Sequence, residues 1–89
     1  MTPAERLPAI RHALEATFQP ASLEVIDESH RHAGHAGARD GRGHFRVIIV
    51  SDRFAALGLL ARHREVYAAL GDLMTTDIHA LAIDARAPG

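Results

Sequence analysis

The stretch HFRVIIVS, residues 44–51, constrains the fold of this chain more than any other. Phe45, Val47 and Ile49 alternate with Arg46, Ile48 and Val50, the two-residue period of a β-strand with side chains on both faces. Before it, ASLEVIDES sets Leu23 and Val25 against Glu24, the pattern of a half-buried edge strand. After it come two helical segments, then DIHALAIDA, a last strand with Leu81 and Ile83 on one face. A single connection between the first two strands makes them antiparallel neighbours. The two helices between the second and third supply the crossover that a parallel pair needs. The predicted order is α-β-β-α-α-β, an α+β domain with a three-stranded mixed sheet and helices on one face.

The helices follow from their own patterns. TPAERLPAIRHALEATF opens with a capping box, in which Thr2 accepts from the amide of Glu5 while Glu5 reaches back. Leu7, Ile10, Leu14 and Phe18 recur at helical spacing, so helix 1 is predicted over residues 3–18. Pro3 suits its first position, and Pro8 lies close enough to the start to be tolerated. SDRFAALG begins a short helix capped by Ser51 or Asp52. LLARHREVYAALGDLM is strongly amphipathic, with Leu59, His63, Val66, Leu70, Leu73 and Met74 in one stripe. On the second sheet face, Ile26, Ile48, Val50, Ala80 and Ala82 point away from the helices. They are either scattered surface apolar residues or a face that takes a partner or a second copy.

Between the first two strands runs ESHRHAGHAGARDGRGH, residues 28–44, with four of the seven histidines. It has no periodicity and contains Gly34, Gly37, Gly41 and Gly43, so it reads as a long loop, flexible over 30–43. The loop ends where strand 2 starts, and strand 3 starts near His79. Parallel pairing therefore brings the loop histidines and His79 to one edge of the sheet. His30, His32 and His35 could surround one ion, and imidazole suits Zn, Cu, Fe and Ni. The alternative is a solvated loop with incidental imidazoles. His79 reads as a ligand or as a partly buried histidine bonded to a backbone carbonyl. His63 lies on the apolar stripe and reads as packing. Asp27 and Glu28 either orient an imidazole or face solvent.

Composition removes several function classes. The 89 residues suffice for a single domain, 1–89, closed by a short tail over 85–89. With no cysteine, the chain has no disulfide, no thiol nucleophile and no thiolate metal site of its own. All ten cations are arginine against 11 carboxylates, a net charge of −1, which argues against strong non-specific nucleic-acid binding. Arg53, Arg62 and Arg64 form either a local phosphate-contacting patch or a solvated face. Ser29 and Ser51 occupy no nucleophile elbow, and no phosphate loop with lysine occurs, so no enzyme is expected. No apolar run is long enough to span a membrane, and no signal segment opens the chain, so a soluble cytoplasmic protein is expected.

Four blocks occur in order: LEVIDESHRH, HFRVIIVSDRF, RHREVYAAL and IHALAI. Together they resemble the BolA family over roughly residues 5–86. The resemblance implies an α-β-β-α-α-β fold related to the class II KH domain. It also implies pairing with a monothiol glutaredoxin of the CGFS type. A [2Fe–2S] cluster would be shared with the thiolates of that glutaredoxin and its glutathione, and the isolated protein would hold none. His79 would be one ligand and a loop residue the other. The family's loop ligand falls on His32, with His35 and His30 as alternatives. Alone, such a chain would be a monomer or weak homodimer. Imidazole in place of thiolate makes such a cluster less negative and raises its potential. Ligation needs neutral imidazole, so it weakens as pH falls through the imidazole range. Some family members are DNA-binding transcriptional regulators of stress response and cell shape, acting through the region that holds RHR. Here Ala56 stands where the family commonly has glycine. No G-x-x-G lies in the helix–helix turn, so the backbone clamp of true KH domains is missing.

Overall fold

Gly43–Val50 (β2) is the middle strand of a three-stranded sheet, antiparallel to Ser22–Asp27 (β1) and parallel to Ile78–Arg86 (β3). The computed structural model describes residues 1–32 and 41–89, the side chains of residues 31 and 32 excepted. Pro3–Phe18 (α1) precedes the sheet, and Leu59–Leu70 (α2) and Leu73–Thr76 (α3) bridge β2 to β3. The mixed sheet and its crossover are as the alternation predicts.

The core forms where the strands' inner face meets the helices. Val25, Phe45, Val47, Ile49 and Ala85 pack with Ile10, Leu14 and Phe18 of α1 and Val66 and Leu70 of α2. Phe54 fills the corner, its ring 4.9 Å from that of Phe18. Helix α1 runs unbroken through Pro8. At its start the capping box of Thr2 and Glu5 is present: the Glu5 carboxylate accepts from the Thr2 amide at 3.4 Å and from its hydroxyl at 2.9 Å, and the Glu5 amide, facing the Thr2 side chain, also donates to the Thr2 carbonyl at 3.0 Å. Ser51 is buried and caps a 3-10 turn at Asp52–Phe54, accepting from the Arg53 amide and donating to the Phe18 carbonyl at 2.8 Å.

Several boundaries differ from the sequence expectation. The short helix after β2 is only that 3-10 turn. The long amphipathic segment divides at Gly71, whose φ of +54° ends α2. Leu59 leaves the apolar stripe: at the first position of α2 it is 69% exposed, and burial begins in earnest at Val66. The tail shortens, because Arg86 still pairs with Val50 and its carbonyl accepts from the Ser51 amide. The loop predicted over 30–43 falls mainly outside the described residues. Its first part is a 3-10 turn, Ser29–His32, started by the Asp27 carboxylate accepting the Ser29 amide at 2.8 Å. On the outer sheet face, the apolar residues are interleaved with charge. Arg46 lies between Ile26 and Ala82, and Ile48 between Glu24 and Asp84, so charged side chains interrupt the apolar ones on this face.

Candidate functional site

The starts of β2 and β3 lie side by side, and the chain fastens them from three directions. The Gly43 amide donates to the Asp77 carbonyl at 2.8 Å. The Asp77 carboxylate accepts from Arg6 Nε at 3.0 Å and from the Thr76 hydroxyl at 2.6 Å. Arg6 also donates to the Gly41 carbonyl at 2.7 Å. One arginine on α1 thus holds the end of the loop and the root of β3 together. The Thr76 hydroxyl and then the Arg6 guanidinium keep the Asp77 carboxyl below the usual carboxylate range.

The pairing slips between Gly43 and His44. Gly43 faces Ile78 and His44 faces Ala80, which leaves His79 as an extra residue, a β-bulge. The result is a pair of imidazoles, His44 and His79, with ring centroids 5.2 Å apart. His44 is buried, its amide held by Ser29 Oγ at 3.0 Å and its carbonyl by the Glu28 amide. His79 is exposed, and its Nδ1 lies 3.1 Å from a guanidinium nitrogen of Arg42. Below His44, Glu28, Arg46, Ala80 and Ala82 line a pocket of about 280 Å³, in which Arg46 Nε pairs with the Glu28 carboxylate at 3.1 Å.

Most of the residues singled out in the sequence have a place in the fold. His79 stands at the strand edge, and His30 is exposed in the 3-10 turn. The backbone of His32 belongs to that turn, while its side chain, and all of His35, lie outside the described residues. The Asp27 carboxylate accepts from the Ser29 amide, and Glu28 accepts from Arg46 Nε. Ser29 and Ser51 hydroxyls serve backbone groups. His63 is half-buried on α2, and its Nε2 has no hydrogen-bond partner among the described residues. Arg53 and Arg64 are exposed, whereas Arg62 turns inward and braces the carbonyls of Leu57 and Ala85 at 2.9 Å each. His44 had not been singled out as a site residue. The signal was present: it shares a face of β2 with Arg46, at the end where β3 begins.

Fold and site together define a class, a small α+β domain with a three-stranded mixed sheet that presents two imidazoles where two parallel strands begin. The sequence profile of the BolA-like protein family matches residues 14–89, and the chain belongs to that family. It is 47% identical over 74 residues to the Escherichia coli K12 protein named DNA-binding transcriptional regulator BolA, covering 83% of this chain and 68% of that one. It is 48% identical over 80 residues to human BolA-like protein 1, covering 90% of this chain and 56% of the human one, so it spans little more than half of that relative. The BolA domain of SufE1 from Arabidopsis thaliana superposes with a TM-score of 0.83 at 42% identity, over 93% of this chain and 92% of that domain.

Proposed function

We propose that this chain is an adaptor that pairs with a monothiol glutaredoxin and co-ligates a [2Fe–2S] cluster, in cluster trafficking or iron homeostasis. The observation that carries this reading is the exposed His79 at the root of β3, beside the strand connection that holds the loop histidines. His79 and His32 would be this chain's ligands, with His35 and His30 as alternatives. The donor set supports a shared centre rather than a self-contained one. The sequence has no cysteine and so no thiolate of its own to offer. Iron–sulfur clusters are held by thiolates, with imidazole replacing some of them in certain centres, so the remaining ligands would come from the partner and its glutathione. When bound, the cluster would supply one-electron and cluster-transfer chemistry, and this chain would supply imidazoles, a fixed strand edge and a loop.

The test is reconstitution with a monothiol glutaredoxin, followed by visible circular dichroism. The mixture is expected to give a spectrum distinct from that of glutaredoxin alone, and His79→Ala and His32→Ala are expected to remove it. A heterocomplex spectrum that survives His79→Ala sinks the ligand assignment. A second reading, DNA-binding regulator, draws on the name of the Escherichia coli relative and on the exposed Arg53 and Arg64 flanking the start of α2. Those side chains would contact phosphates rather than bases.

A further inference from the structure

Arg42 lies against Nδ1 of His79, one of the two ring nitrogens that could bind a metal. A guanidinium has donors only and stays charged at any working pH, so in the 3.1 Å contact His79 Nδ1 is the acceptor. A neutral ring that accepts at Nδ1 carries its proton on Nε2. Both ring nitrogens are then committed, one lone pair to Arg42 and the other nitrogen to its proton. A metal that takes Nδ1 must displace the guanidinium. A metal that takes Nε2 shifts the proton to Nδ1, where it meets the guanidinium N–H head on. Either way Arg42 must leave, and until it does its charge also repels an incoming cation.

We propose that Arg42 is a latch on His79: it holds the ring as the Nε2–H tautomer in the free protein and swings away when His79 binds a metal. The mounting suits that movement. Arg42 sits between Gly41, with φ of +83° and nothing among the described residues within 4 Å of where its Cβ would lie, and Gly43. The Gly41 carbonyl is held by Arg6 and the Gly43 amide by the Asp77 carbonyl, so the backbone on both sides is pinned and release is a side-chain motion. Its consequence for cluster binding rests on the function proposed above; the latch itself can be read on the free protein.

Long-range nitrogen–proton correlation spectra of the full chain report the tautomer of each histidine. The wild-type His79 is expected as Nε2–H, and Arg42→Ala is expected to relax it toward a mixture, with Arg42→Lys restoring part of the bias. Co²⁺ should then broaden the His79 ring signals at a concentration roughly twofold to fivefold lower in Arg42→Ala than in the wild type, the scale of an exposed charged contact. An identical tautomer ratio in wild type and Arg42→Ala overturns the latch. A relaxed tautomer with an unchanged Co²⁺ response overturns its opposition to metal. A glutaredoxin mixture with no His79-dependent spectrum would instead strike the cluster reading and leave both measurements valid.

Discussion

Gly43 shows how much of the edge turns on a missing side chain. A Cβ at this position would lie 2.6 Å from Cε2 of Phe45 and 3.0 Å from Oγ of Ser29. Neither neighbour can yield easily. Phe45 is buried in the core, where close packing transmits any shift, and the Ser29 hydroxyl holds the His44 amide. Gly43→Ala should therefore lower stability by about 1–3 kcal/mol, the usual cost of overpacking, seen as a lower urea midpoint with little change in slope. The same substitution should shift the ring signals of both His44 and His79, because the bulge between Gly43 and His44 sets their approach. A variant with wild-type stability and unmoved ring signals would mean that the edge tolerates a methyl group, and that the close approach of Gly43 does not set the imidazole pair.

At the level of elements, the strands were easier to read than the crossover. Alternation in β2 and two intervening helices were enough to put His44 and His79 at one end of a parallel pair. The bulge that turns their rings together was not legible, since it depends on a backbone bond between Gly43 and Asp77, residues far apart in sequence. The break in the amphipathic segment rests on the left-handed φ of Gly71, which a periodic stripe does not reveal. Arg62 is the clearest case. In sequence it is one of three cations near a helix start; in the fold it ties the turn after Phe54 to β3 through the carbonyls of Leu57 and Ala85. Charge-assisted bonds of this kind contribute about 1–3 kcal/mol, so Arg62→Ala should be destabilising while Arg64→Ala stays within about 0.5 kcal/mol of wild type. This separation governs any DNA experiment. If the surface around the start of α2 contacts phosphate, Arg53→Ala and Arg64→Ala should each weaken duplex binding across sequences and flatten its salt dependence with the fold intact. Binding that falls only with Arg62→Ala would report the lost brace.

Across the whole molecule, the side-chain hydrogen bond with the longest reach among the described residues joins Arg6 of α1 to Asp77 at the root of β3, 71 residues apart. A domain of this size has little stability to spare, so a link that fastens the first helix, the loop end and the last strand weighs heavily. It also couples stability to pH, and the direction can be worked out. Thr76 and Arg6 hold the Asp77 carboxyl below its ordinary value of 3.8 in the folded chain, while the unfolded chain restores that value. Between the two values the unfolded state binds more protons, so stability rises with pH there. The contribution is complete above the unfolded value and is lost as pH falls through the folded one. Asp77→Asn should thus cost about 1–3 kcal/mol at neutral pH, where a charged acceptor is lost, and less at low pH, where the wild-type carboxyl is already protonated. Urea unfolding from neutral pH down through the carboxylate range checks this, with the two stability curves expected to converge toward acid. Curves that remain parallel would show that Asp77 contributes through the shape of its hydrogen bonds rather than its charge, and Arg6→Gln, which removes the cation and leaves Asp77 in place, would then leave the acid slope unchanged.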